Sequence, residues 1–364
     1  MKNQYNLLKN VSGWVVFAIT LIVFASTAER SGSLWDVGEF IAGAYKLQVV
    51  HPPGAPLFLL IGRIFSLFGD TFSSNPSAPA FAVNLLSGFS TAFAAMFATW
   101  ICIRLSKVAL VGMDQETSQG QNIALVLGGV VAGLSGAFCT SVWFSAVEGE
   151  VYALSLFFTM LTLWATVKWY TLPDSKTNDR WLLLAFYAIG LSIGVHLLSA
   201  LVIPTLALFY YIKKSENPSF KGFAIATILG MASLMVIQRG VIIGLPIIWS
   251  RLELLTVNSM GLPIHSGLIP LLLLLIAGFY FGLRYAWKNN KYVIERALLA
   301  LMLVIIGYST IMVVVLRAGA EPPINMNDPD NVFALIPYIN REQYGERPIL
   351  KGPQFDKSPV DLVY

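Results

Sequence analysis

Long apolar runs recur down this 364-residue chain, separated by short polar breaks. A helix needs about 20 predominantly apolar residues to cross the hydrocarbon core of a bilayer. Runs of that kind occupy about 11–28, 80–105, 122–146, 151–172, 181–198, 199–212, 222–248, 266–287 and 295–317. The stretch from 181 to 212 is too long for one span, and His196 and Pro204 interrupt it, so it divides into two. Composition points the same way. The chain is 56% hydrophobic and 12% charged, whereas a soluble domain carries about 25% charged residues and could cover itself with them. The expected fold is an all-α polytopic membrane protein with about nine transmembrane helices, occupying residues 1–317.

One further run, Pro52–Phe68, is shorter and carries Arg63. That length suits a helix lying in the interface better than a span. Charge placement supports the choice. Inner loops of membrane proteins are enriched in Lys and Arg. With Pro52–Phe68 flat and the N-terminus (Lys2, Lys9) inside, Arg104 and Lys107, Lys176 and Arg180, Lys213, Lys214 and Lys221, and Lys288, Lys291 and Arg296 all fall on one side. Counting the run as a span breaks this pattern. The reading is N-terminus cytoplasmic and C-terminus outside. Residues 1–28 also have the form of a signal sequence, and the loop that follows lies outside in either case.

Several function classes are excluded. The net charge is only +4 and no dense basic stripe accompanies it, which argues against nucleic acid as a partner. Cys102 and Cys139 both lie in apolar runs, so neither a disulfide framework nor a zinc site is expected. No Walker motif and no dinucleotide fingerprint occurs. No metal-ligand cluster stands out, and neither a metal nor a cofactor is expected.

The inner loops are short and basic. The outer segments hold the chemistry-bearing residues. The first outer loop, residues 29–79, carries Glu29, Arg30, Asp36, Glu39, Lys46, His51 and Arg63, and ionisable groups at the membrane edge are costly. Asp36 and Glu39 are three apart, so a helix would set both on one face. There they could act as a general base and its orienting partner, though the same spacing suits a solvated helix end. His51-Pro52-Pro53-Gly54 suits a corner into a helix whose free N–H groups would face an anion. Glu148 and Glu150 form the turn between the third and fourth spans, and His196 sits near the outer end of the fifth. His196 also suits a satisfied core position. Arg239 lies within the seventh span, where an Arg needs a partner or a wet cavity. The stretch 318–364 is polar, and its 47 residues are few for an independent domain.

Several of these motifs, in this order, resemble one membrane family. They are Trp35-Asp36-Val37-Gly38-Glu39-Phe40-Ile41-Ala42, then Lys46-Leu47-Gln48, and His51-Pro52-Pro53-Gly54-Ala55-Pro56-Leu57-Phe58. Phe144-Ser145-Ala146-Val147-Glu148-Gly149-Glu150-Val151-Tyr152-Ala153 follows, with Gly190-Leu191-Ser192-Ile193-Gly194-Val195-His196-Leu197-Leu198 and Asn340-Arg341-Glu342-Gln343-Tyr344-Gly345. Together, from about residue 28 to 352, they resemble the family catalogued as domain of unknown function 2723. That family is similar to the protein O-mannosyltransferases of the GT-C superfamily, and this version looks like those of Bacteroidetes. The resemblance implies a GT-C-like helical bundle with a flat helix in the first outer loop, matching Pro52–Phe68. It implies an inverting enzyme that moves a monosaccharide, mannose, from a polyprenyl-phosphate donor to Ser or Thr of an exported protein. The place would be the outer face of a bacterial inner membrane, in contact with membrane lipids. Asp36 occupies the place of the family's essential acid. Glu39 would then orient Asp36 or the acceptor, and His51 and Arg63 would hold the donor phosphate. Glu148, Glu150, His196 and Arg239 would line the cavity. Family members often continue into a soluble outer region, which 318–364 would begin. The rival reading is a non-enzymatic polyprenyl-lipid carrier or transporter using the same cavity. Its expected hallmarks are internal repeats and polar groups at mid-bilayer, and the sequence shows neither clearly.

Overall fold

The computed structural model describes residues 2–345, and these form an all-α polytopic membrane protein. Thirteen helices follow in order: α1 (Lys2–Thr27), α2 (Val37–Lys46), α3 (Pro56–Phe72), α4 (Ala78–Leu110), α5 (Gln119–Ala137), α6 (Thr140–Val147), α7 (Val151–Thr171) and α8 (Arg180–Ile193). Then come α9 (Leu197–Lys214), α10 (Phe220–Ser259), α11 (Leu268–Lys288), α12 (Tyr292–Ala318) and α13 (Val332–Asn340).

Each of the nine apolar runs has its helix. Eight of the helices are long and apolar enough to cross a bilayer. The exception is α8, with 14 residues, roughly 21 Å of helix against a core of about 30 Å. It stops before the expected residue 198 because the chain turns at Gly194. His196 then caps a fresh 3₁₀ turn, its Nδ1 accepting from the Leu198 N–H at 3.2 Å. The run 122–146 is also not continuous. It ends at Ala137, and α6 starts anew at Thr140. In the other direction, α10 outruns the expected 222–248 and reaches Ser259 through π-helical stretches at Val236–Ile243 and Leu255–Ser259.

Helix α4 sets the level of the site. It is antiparallel to α1: Trp100 Nε1 donates to Lys9 O at 2.9 Å near one end, and Gly88 backs onto Phe24 near the other. With 33 residues, roughly 50 Å, α4 projects past the end of α1. There Asn84, fully buried, donates to Glu29 O at 2.7 Å and Ser31 O at 3.0 Å. Both ends of α3 lie at this same level. Its Leu57 N–H donates to Gly194 O at 2.8 Å, and its Gly69 lies against the start of α4 at Ala78. The helix therefore returns on the side it entered and does not cross. Its outward face, Ile64, Leu67, Phe68 and Phe72, is exposed and apolar, as a helix bedded in an interface requires.

The basic clusters gather at the opposite end, where Arg104 meets Thr171 at 3.1 Å and Arg296 meets Asp179 at 2.9 Å. The polar stretch after Arg317, as far as it is described, folds back onto the first loop. Val49 N–H donates to Ile324 O at 3.0 Å and Met326 N–H to Val49 O at 3.1 Å. Helix α13 buries Val332, Leu335, Tyr338 and Ile339 in the same core as Ile242 and Trp249. The Tyr338 hydroxyl donates to Val50 O.

The short α8 is held by close backbone approach. A Cβ on Gly190 would sit 2.4 Å from Val304 O, and one on Gly307 would sit 2.5 Å from Leu191 N. Small residues at such crossings supply the packing that substitutes for hydrophobic drive inside lipid. Gly190→Leu is expected to destabilise the purified protein by more than the ~1–3 kcal/mol usual for overpacking, seen as a sharply lower melting temperature. Gly136→Leu, at a position with nothing within 4 Å, leaves it unchanged.

Candidate active site

The site is built at the start of α2. Asp36 is the N-cap residue of that helix and Glu39 lies in its first turn. The chain leaves α2 through Leu47 in the left-handed region (φ 49°), runs along Ile324–Met326, and returns as His51. Glu39 receives it with both carboxylate oxygens: His51 N–H donates to Oε1 at 2.7 Å, and His51 Nδ1 lies 2.8 Å from Oε2. The other ring nitrogen, Nε2, lies 3.9 Å from Asp36 Oδ2. Phe40 packs edge-on against the imidazole, ring centroids 5.5 Å apart. Glu39 thus holds His51, and among the described residues it has no hydrogen bond to Asp36. The Asp36 carboxylate is left 60% exposed, beside the exposed apolar pair Leu34 and Trp35.

The protonation states follow from these contacts. The Glu39 hydrogen bond, aided by the charges of Glu39 and Asp36, raises the His51 pKa above that of a free imidazole, against burial and the Arg341 charge. Burial pushes Glu39 up, but the His51 hydrogen bonds and charge outweigh it and hold Glu39 below the usual carboxylate range. Glu150 is the opposite case. Burial first, and then the neighbouring charges of Asp36 and Glu148, push its pKa up to about 7, against the Val151 N–H and His51. Burial and Arg341 lower His196. Its ring lies 5.3 Å from that of Tyr152.

Asp36, Glu39, His51, Glu148 and Glu150 therefore share one electrostatic site, and the Arg341 charge is felt at both His51 and His196. Arg63 lies elsewhere. Its guanidinium donates to Tyr45 O and stacks on the Tyr45 ring. That is nine residues along α2 from Asp36, roughly 13 Å, beside a polar cavity of about 580 Å³ shared with Lys46, Arg317 and Glu321. Arg239 is exposed on α10 and has no hydrogen bond or ion pair among the described residues. The expected anion-binding helix start is used as well: α3 begins at Pro56 rather than after Pro53, and Gly194 O takes its Leu57 N–H.

Two contributors escape sequence reasoning. Arg341 belongs to the motif Asn340–Gly345, whose residues carry no role in the sequence reading. Asn84 belongs to no motif at all. It ties α4 to residues 29–31, and Gly149 packs close against its side chain. An Asn inside an apolar run is the available signal.

Asp36, Glu39 and His51 bring one ligand atom each to within 4.8 Å of one another, close enough to surround a divalent cation. Both Glu39 oxygens accept from His51, which leaves Nε2 as the ring's ligand atom when the imidazole is neutral and leaves the ring none when it is protonated.

The site lies within a segment with known relatives. The family described as the protein O-mannosyl-transferase TMEM260 N-terminal domain matches residues 36–219, about half of the chain, and the chain belongs to that family. Among curated proteins, it is 31% identical over 179 residues to the protein O-mannosyl-transferase TMEM260 of Mus musculus, covering 49% of this chain and 22% of the relative. It is 28% identical over 167 residues to the protein O-mannosyl-transferase tmem260 of Dictyostelium discoideum, covering 46% of this chain and 18% of the relative. The matched part thus spans about a fifth of the length of these relatives. No solved structure matches significantly.

The Glu150 shift predicts a pH effect. A carboxyl group whose folded pKa exceeds its unfolded value binds more protons when folded, so it costs stability as pH rises from about 4.5 through about 7. Glu150→Gln should flatten the dependence of melting temperature on pH across that window and raise the melting temperature at pH 8. Parallel curves for the two proteins would refute the assignment.

Proposed function

We propose that this chain transfers mannose from a polyprenyl-phosphate donor to a Ser or Thr hydroxyl of an exported protein, on the outer face of a bacterial inner membrane. The observation that carries the reading is the grouping of Asp36, Glu39, His51 and Glu150 at one end of the bundle, inside the segment matched to an O-mannosyl-transferase family. A membrane-edge site with an exposed carboxylate beside Leu34 and Trp35 suits a lipid-tethered donor and a soluble acceptor.

In the step envisaged, Asp36 takes the acceptor hydroxyl proton as that oxygen attacks the anomeric carbon. The bond from carbon to phosphate oxygen breaks, and the polyprenyl phosphate departs. A single displacement of this kind inverts the anomeric centre, in the manner of a GT-C-like enzyme. His51, drawn toward its cationic form by Glu39, and Arg341 meet the growing phosphate charge; fixed charges of this kind act where charge develops in the transition state. The phosphate role expected for Arg63 falls to Arg341, since Arg63 lies beyond reach of a phosphate at Asp36. Glu150, about half protonated at pH 7, adds less than a full second negative charge beside the donor. No resident metal is required.

The test is transfer from labelled polyprenyl-phosphate mannose to a Ser/Thr peptide by the purified protein, with a chelator present. General-base assistance is worth about 10²–10⁴-fold, so Asp36→Asn is expected to lower the transfer rate by that order while donor binding persists. His51→Ala should weaken donor binding. Near-normal transfer by Asp36→Asn would remove Asp36 as the base. Donor binding by the wild type without any transfer would favour a lipid carrier.

A further inference from the structure

A second charged cavity lies at the opposite end of the bundle, between α1, α4, α7 and the 111–118 connection. It encloses about 360 Å³, and its walls include Lys9, Arg104, Lys107 and Thr171. Lys9 is only 6% exposed, and its ammonium meets one oxygen, Asn6 Oδ1, at 3.2 Å. Arg104 spends Nη1 on Thr171 Oγ1 at 3.1 Å, while its Nε is buried without a partner. Lys107 donates to the carbonyls of Gly112 and Met113 at 3.2 and 2.9 Å. No carboxylate lies within ion-pair distance of these three cations among the described residues. Asp114 and Glu116 also border the cavity, but both are exposed to solvent.

An inner-surface charge bias accounts for Lys and Arg side chains in loops. It does not account for a buried ammonium beside an unpartnered guanidinium nitrogen, which is costly without a compensating anion. The compensating group is set by the surroundings. The cavity sits at the end of three helices long and apolar enough to cross a bilayer, where the headgroup layer would lie. On the bilayer side of Lys9, the α1 residues Val11, Trp14 and Val15 are exposed and apolar, where acyl chains would lie. Basic pockets between spanning helices take anionic lipid headgroups. We propose that this cavity binds the phosphodiester headgroup of an anionic phospholipid, with Lys9 and Arg104 meeting its phosphate and the acyl chains descending along α1.

Native mass spectrometry of the full chain, titrated separately with phosphatidylglycerol, phosphatidylcholine and inorganic phosphate, tests this. Phosphatidylglycerol is expected to bind about tenfold or more tightly than phosphatidylcholine. The double variant Lys9→Gln/Arg104→Gln should lose that preference, and Lys9→Arg should keep it. Equal binding of the two lipids, or an unchanged preference in the double variant, would overturn the proposal. So would displacement of phosphatidylglycerol by millimolar inorganic phosphate, which would mark a free-anion pocket instead. If the double variant does not fold, the wild-type preference and the Lys9→Arg result decide.

Discussion

One carboxylate organises the working end of this protein. Glu39 accepts both the main-chain N–H and the ring nitrogen of a residue twelve positions away. Hydrogen bonds to a charged group are worth about 1.5–3 kcal/mol each, and these two close the loop that leaves α2 and returns to His51. The closure fixes the level of Val49 and Val50, and therefore where the chain after α12 can dock. Ile324–Met326 pair with Val49, and the Tyr338 hydroxyl bonds Val50 O. Through α13 and its C-terminal Arg341, the same clasp places a cation near His51 and His196. Losing the Glu39 carboxylate would leave the half-buried His51 N–H without its partner and loosen first loop and tail together.

The division of charge follows from that arrangement. Glu39 and His51 stabilise each other as an ion pair, one held low and the other held high. Glu150, a few side chains away, has no such partner and is pushed up to about 7. Carboxyl groups driven apart in this way take different roles at one pH. Asp36, whose carboxylate lies 3.9 Å from His51 Nε2 and whose charge is felt at Glu150, is more exposed than Glu39.

The bundle is legible in the sequence because lipid leaves a chain few options. Apolar runs of span length have to become helices, and each of the nine runs does. Segments set by local hydrogen bonding are harder to read. The break at Gly194 depends on His196 capping the next turn, and α10 continues past residue 248 by widening into π-helical turns. In the site, Asp36 and Glu39 can be paired from their spacing, since i and i+3 share a helix face. The partner of Glu39 cannot, because it depends on how the loop after Leu47 returns. Neighbourhood in sequence puts Arg63 beside the donor, whereas α3 carries it to the far end of α2. Asn84 bonds the first loop from tens of residues away, and the charge of Arg341 acts on it from hundreds of residues away, where neither periodicity nor spacing gives a signal.

The interaction at the centre of the site is tested most directly by the titration of His51, followed by nuclear magnetic resonance of imidazole-labelled protein. Only three histidines are present, so single substitutions of His196 and His265 assign the signal. His51 is expected to titrate above the 6.5 of a free imidazole, and Glu39→Gln to lower its pKa, because the hydrogen bond and charge that raise it are removed while burial remains. A His51 that titrates at the free value and ignores Glu39→Gln would contradict the central role given to this pair.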